Sequence, residues 1–65
     1  MKISYDAEVD ILRILLNDAK IDESDEAKPG IILDYDVDGN MVGIEILDAS
    51  KRVSNPRMIE LAVTG

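Results

Sequence analysis

Twelve residues from Asp34 to Glu45, Asp-Tyr-Asp-Val-Asp-Gly-Asn-Met-Val-Gly-Ile-Glu, carry the spacing of a calcium loop. Carboxylates fall at loop positions one, three and five (Asp34, Asp36, Asp38), glycine at six (Gly39), an apolar residue at eight (Met41) and glutamate at twelve (Glu45). A hard divalent cation, calcium or magnesium, takes this kind of oxygen set around a sharp turn. An EF-hand loop, however, must join two helices. Here Pro29-Gly30 lies only four residues upstream and both flanks alternate as strands. The alternative function, a divalent-metal-binding protein or a metal-dependent enzyme, then takes a looser form, with Asp34, Asp36 and Glu45 on the outer face of a hairpin and Asp38 at its tip.

Other chemistry has few residues to stand on. The chain contains no His and no Cys, so the commonest general base and the best nucleophile are missing. Ser4, Ser24, Ser50 and Ser54 have no evident activator, and Ser50 reads as a capping or turn hydroxyl. No catalytic residue is assigned, and a non-enzymatic role is the expectation. Lys51, Arg52 and Arg57 gather three of the seven basic residues near the end of the chain. They read as a solvated face or as neighbours for the chain's own carboxylates.

The elements that position these residues follow from pattern. Gly30–Leu47 reads as a β-hairpin, because Asp38-Gly39 suits a tight primed turn between two runs rich in Ile, Leu, Val and Tyr. That register sets Tyr35 against Val42, Leu33 against Ile44 and Ile31 against Ile46, all on one face. Met1–Tyr5 and Ile11–Leu16 read as a first hairpin around Asp6-Ala7-Glu8. Asn17–Pro29 holds five carboxylates and two lysines around the isolated Ile21, and reads as a charged connection running along a sheet edge. Asp48 is placed to cap a short helical turn, and Ser54-Asn55-Pro56 to start a helix carrying Met58, Leu61 and Ala62 on one face. The same residues also alternate as a strand.

The expectation is a single α+β domain over residues 1–65. It consists of a small four-stranded antiparallel β-sheet, made of two hairpins, with a C-terminal helix packed on one face. Ile3, Tyr5, Leu12, Ile14, Leu16, Ile31, Leu33, Tyr35, Val42, Ile44 and Ile46 form the covered face.

From Gly43-Ile-Glu-Ile-Leu47 into Asp48-Ala-Ser50, the chain resembles the bacterial and archaeal family called domain of unknown function 2283. The family pattern opens with an extended segment ending Tyr-Asp, matched by Tyr5-Asp6, followed by a carboxylate turn and an apolar strand. A Pro-Gly hairpin containing Asp-Tyr-Asp comes next, matched by Pro29-Gly30 and Asp34-Tyr35-Asp36. The resemblance covers most of Met1–Arg52. Ala7 departs from a frequent proline and Arg13 from a common aromatic, which loosens the turn and makes that outer face more polar. The resemblance implies the fold but supplies no established biochemical activity. Some relatives look like partners of small toxin-like proteins.

Charge and size bound the partners. Fourteen acidic against seven basic residues give a net charge of −7, which disfavours direct binding to nucleic-acid phosphates. A basic protein partner, neutralised by the acidic surface, is the sharper functional reading of that charge; solubility and guarded sheet edges are the plainer one. No basic-then-apolar leader and no apolar run of roughly 18 residues is visible, so the expected compartment is the cytoplasm. An aliphatic core of 65 residues is marginal alone, since a domain this small buries only about 60% of its unfolded surface. Ile11, Leu15, Ile32, Met41 and Leu47 remain on the outer face. They predict a homodimer in which this patch meets itself, weakened by Ile32→Glu. If Arg57–Thr64 is a strand, it pairs with the partner's sheet and gives an exchanged dimer.

Overall fold

A computed structural model describes all residues, Met1–Gly65. Five strands form one antiparallel sheet: β1 (Lys2–Asp6), β2 (Ile11–Leu15), β3 (Glu23–Lys28), β4 (Ile31–Tyr35) and β5 (Met41–Leu47). Their spatial order is β1-β2-β5-β4-β3, so the last strand in sequence fills the centre. One short helix, α1 (Ala49–Arg52), follows. No helix is long and apolar enough to cross a membrane.

The first hairpin matches its expectation. Ile3 stands opposite Ile14 and Tyr5 opposite Leu12, which places the apolar members of both strands on one face. Asp10 closes the intervening turn in the left-handed region, φ 58°, where aspartate is among the few non-glycine residues tolerated.

The sheet has five strands rather than four because the charged connection contains β3. Glu-Ser-Asp-Glu-Ala-Lys has no apolar alternation, and all six residues are exposed. It is held by backbone pairing to β4, in which Ser24 stands opposite Asp34 and Asp25 opposite Leu33. Pro29-Gly30 is the tight turn of this hairpin, with Gly30 at φ 81°, since proline presets the first turn position and glycine accepts positive φ at the second. The expectation that this stretch runs along an edge holds. β3 is an edge strand whose carboxylates discourage further pairing.

The β4–β5 hairpin keeps two of its three expected pairs, Ile31 with Ile46 and Leu33 with Ile44. Tyr35 stands opposite Met41 instead of Val42, because the register shifts between Asp34 and Tyr35. The turn explains the shift. Asp36 and Asn40 pair around Val37-Asp38-Gly39, the Gly39 N–H donates to the Asp36 carbonyl (3.0 Å), and Gly39 takes φ 84°. A three-residue loop with a left-handed third position replaces the two-residue primed turn, and a bulge takes up the offset. The Asp36 carboxylate accepts from the Asp38 and Asn40 N–H groups (3.0 and 2.9 Å), which fixes the loop from inside.

The C-terminal helix is absent. Pro56-Arg57 makes only a turn, and residues 58–65 form no regular element. Ser54-Asn55-Pro56 is too weak a start signal for a segment with no face to pack against, since helical stability comes mainly from packing. The expected covered face therefore has no second layer. Only five of 65 residues are buried, and the buried apolar side chains are Leu12, Val42 and Ala49. Ile3, Ile14, Ile31, Leu33, Ile44 and Ile46 remain half-buried, and Leu16 lies exposed beyond the end of β2.

Candidate functional site

Two side-chain clusters and one surface stand out. The first cluster lies on the polar side of the sheet, where β2, β5 and β4 run side by side. Arg13 stands opposite Glu45, and Gly43 opposite Asp34. Asp34 is 1% exposed, although it is a carboxylate in mid-strand. Its Oδ1 accepts the Ser24 hydroxyl at 2.6 Å, and its buried Oδ2 has no hydrogen-bond partner. The room for it comes from Gly43, where a Cβ would sit 3.2 Å from Oδ2 and 3.1 Å from the Ile14 carbonyl oxygen. Burial pushes the Glu45 carboxyl above the usual carboxylate range. The neighbouring Asp34 carboxylate pushes the same way, and Arg13 opposes it. The Arg13 Nε is also buried without a partner.

The metal-ligand set read from the sequence is divided by this arrangement. Asp34 and Glu45 come together within the sheet. Asp36 is committed to its own loop, and Asp38 is exposed at the hairpin tip beside it. No group of three or more carboxylates is gathered to hold a metal ion. Asp36–Asp38 instead line one wall of a shallow groove of about 460 Å³, with Ala19–Asp22 on the other side.

The second cluster ties the two ends of the fold together through Asp10. Its Oδ1 accepts the Tyr5 hydroxyl (2.6 Å) and the Ser50 N–H (2.9 Å), and its Oδ2 accepts the Ser50 hydroxyl (2.6 Å). The Asp10 carbonyl also accepts the Ala49 N–H at 3.0 Å. Asp10 therefore caps α1 from the first hairpin. Asp48, the residue expected to cap it, lies at φ 52° and makes no side-chain cap bond. Hydrogen bonds from Ser50 and then Tyr5 hold the Asp10 carboxyl below its ordinary range, while the bond to Asp10 raises the Tyr5 phenol. Sequence reading missed Asp10 because its partners lie 5 and 40 residues away. The one available signal was Asp-Ala-Ser-Lys, which marks a helix start and leaves its cap unspecified. Arg52 Nη2 extends the tie, donating to the Pro29 carbonyl at 2.6 Å. Arg57 stacks over the Tyr5 ring, 5.8 Å from its centroid.

The surface is the uncovered apolar face. Rows Ile3–Ile14–Ile44–Leu33 and Tyr5–Leu12–Ile46–Ile31 run across four strands without a charged residue. The five residues expected at an interface are arranged differently. Ile11 and Leu47 are neighbours, while Leu15 and Ile32 are separated from them by Arg13 and Glu45. Met41 joins Tyr35 through the bulge.

The model of the protein family of unknown function DUF2283 matches residues 2–50 of this chain. The chain belongs to that family. No curated protein and no solved structure matches it. In this DUF2283 protein the matched span contains all five strands, the Asp34–Glu45 pair and both Asp10 and Ser50. Residues 51–65 lie outside it.

Proposed function

We propose that the protein is a small non-enzymatic interaction module that completes its hydrophobic core by association, its partner being a second copy of the chain. One observation carries this reading: a five-stranded sheet in which Leu12, Val42 and Ala49 are the only buried apolar side chains. A single-layer sheet leaves its apolar side in water, and domains are stable when such a face meets another layer. The continuous rows through Ile14–Ile44 and Leu12–Ile46 form the meeting surface, and a twofold arrangement lets the same rows cover each other. Ile31 and Ile32 test it, being adjacent in β4 but on opposite faces. Analytical ultracentrifugation at micromolar concentration is expected to give a dimer for the unmodified chain and for Ile32→Glu, and a monomer for Ile31→Glu. A monomeric unmodified chain refutes the reading. Dissociation by Ile32→Glu alone moves the interface to the Ile11, Leu15, Ile32, Met41 and Leu47 side.

A second surface supports a further partner class, a basic protein. Glu23, Asp25 and Glu26 are exposed along the β3 edge of a chain whose net charge is −7. Such a ribbon attracts cationic surfaces at low ionic strength and loses them as salt screens it. Co-purification from the native host at low salt, followed by elution with salt, is expected to recover such a partner. Recovery of this chain by itself removes the support.

A further inference from the structure

The segment after Pro56 has the composition of a strand and none of its contacts. Ile59, Leu61 and Val63 recur at period two, and they are 54%, 81% and 87% exposed. The last backbone hydrogen bond of the chain runs from the Met58 N–H to the Asn55 carbonyl at 3.1 Å, and residues 59–65 make none. Large apolar residues in this pattern fit a half-buried strand. The segment is anchored where Arg57 stacks on Tyr5, at the β1 margin of the sheet.

The two sheet edges are unequal. β3 presents six exposed residues, three of them carboxylates, and so resists pairing. β1 carries Ile3 and Tyr5 toward the apolar face, and its outer backbone groups have no strand beside them. An extended segment lying flat on the sheet face would bury its own amides unpaired, whereas an edge satisfies them. Charge separates the same two parts. Residues 1–50 hold thirteen carboxylates and four cationic side chains, while residues 51–65 hold Lys51, Arg52 and Arg57 with Glu60 as the one acid. Arg57, at the root of the segment, is its nearest cation, and Glu60 is the one charge within Ile59–Val63.

We infer that Ile59–Val63 adds as a sixth strand to the β1 edge of a second copy, reciprocally about a twofold axis. Ile59, Leu61 and Val63 then extend the partner copy's apolar face beside Ile3 and Tyr5. Main-chain bonds supply affinity, and the alternate side chains fix the register. In an antiparallel register, Leu61 opposite Tyr5 and Val63 opposite Ile3 place Ala62 opposite Ser4. This inference rests on the assembly reading above and assigns the occupant of one edge.

The chain has no cysteine, so engineered thiols report without interference. Chains carrying Ser4→Cys and chains carrying Ala62→Cys are mixed, denatured and refolded together, then mildly oxidised. The expected product is a dimer cross-linked between one chain of each kind. Leu61→Lys is expected to abolish that product and to shift the chain from dimer to monomer at about 10 µM, since mass action governs the population. Its strand content by circular dichroism stays unchanged, because Leu61 touches little within one copy. A dimer that persists in Leu61→Lys, with no mixed cross-link, overturns the edge exchange and leaves the face-to-face module intact. An internal cross-link in the Ser4→Cys/Ala62→Cys double variant also overturns it, because the segment then folds onto its own β1. A monomeric unmodified chain refutes both readings.

Discussion

Asp34→Asn is the perturbation that most directly tests the polar cluster. Asp34 is 1% exposed, one carboxylate oxygen takes the Ser24 hydroxyl at 2.6 Å, and the other faces the gap over Gly43 with Glu45 beside it. Leaving a buried polar atom unsatisfied costs about 1–3 kcal/mol, and more when it is charged. Asparagine keeps the acceptor for Ser24, removes the charge, and can turn an amide donor toward the Glu45 carboxylate. The expected result at pH 7 is a gain of about 1–2 kcal/mol in unfolding free energy. With a urea slope near 1 kcal/mol/M for so small a protein, the midpoint rises by about 1–2 M. Urea melts at one fixed protein concentration measure it, since association would otherwise add to the apparent stability. The Glu45 carboxyl, followed by NMR, should titrate at lower pH once the Asp34 contributions are removed, while burial keeps part of its elevation. A loss of more than about 1 kcal/mol in Asp34→Asn would refute this account, because the second oxygen would then be engaged as a charge.

Glu45 sets a pH dependence of definite sign. With its pKa raised above the ordinary 4.5, the folded state holds more protons in the window between the two values, so stability falls as pH rises through it. Glu45→Gln should flatten that fall in pH-resolved urea melts. Asp10 acts in the opposite sense: its lowered pKa gives stability present above the ordinary 3.8 and lost as pH drops below it. Asp10→Ala should remove this acid sensitivity, lower the melting temperature and free the Ser50 amide to exchange with deuterium. Gly43→Ala places a methyl 3.1 Å from the Ile14 carbonyl oxygen and 3.2 Å from Asp34 Oδ2 in mid-sheet, and should cost about 1–3 kcal/mol in the same melts.

Most of the sheet was legible, and the failures have specific causes. Ile3, Tyr5, Leu12 and Ile14 announced their hairpin by alternation, and Ile31, Leu33, Ile44 and Ile46 kept their register, because a one-residue slip would set Asp34 against the apolar row. β3 was hidden. An exposed edge strand needs only backbone pairing, so Glu23–Lys28 bears no hydrophobic period. The bulge at Met41–Gly43 follows from loop length: Asp38-Gly39 reads as a two-residue turn, and the chain uses three residues. Ser54-Asn55-Pro56 carried a helix-start signal, but Ile59, Leu61 and Val63 carried a strand pattern equally well, and no packing surface selects the helix. Of the candidate site, the carboxylates were visible as a group, but their division was not. Asp34 and Glu45 meet only because β4 and β5 pair with Gly43 between them, while Asp36 turns back onto its own loop.

The strand order has a consequence for how the chain is made. β5, at the centre, joins the β1–β2 hairpin to the β3–β4 hairpin, and it is the last of the five to leave the ribosome. Until residue 47 emerges, the two earlier hairpins have no common neighbour, and isolated two-stranded hairpins are barely stable in water. The sheet therefore assembles in one late step, when β5 pairs with Ile11–Leu15 on one side and Ile31–Tyr35 on the other. Nascent chains stalled before Met41 should be protease-sensitive throughout, and those extended past Arg52 protected as a unit.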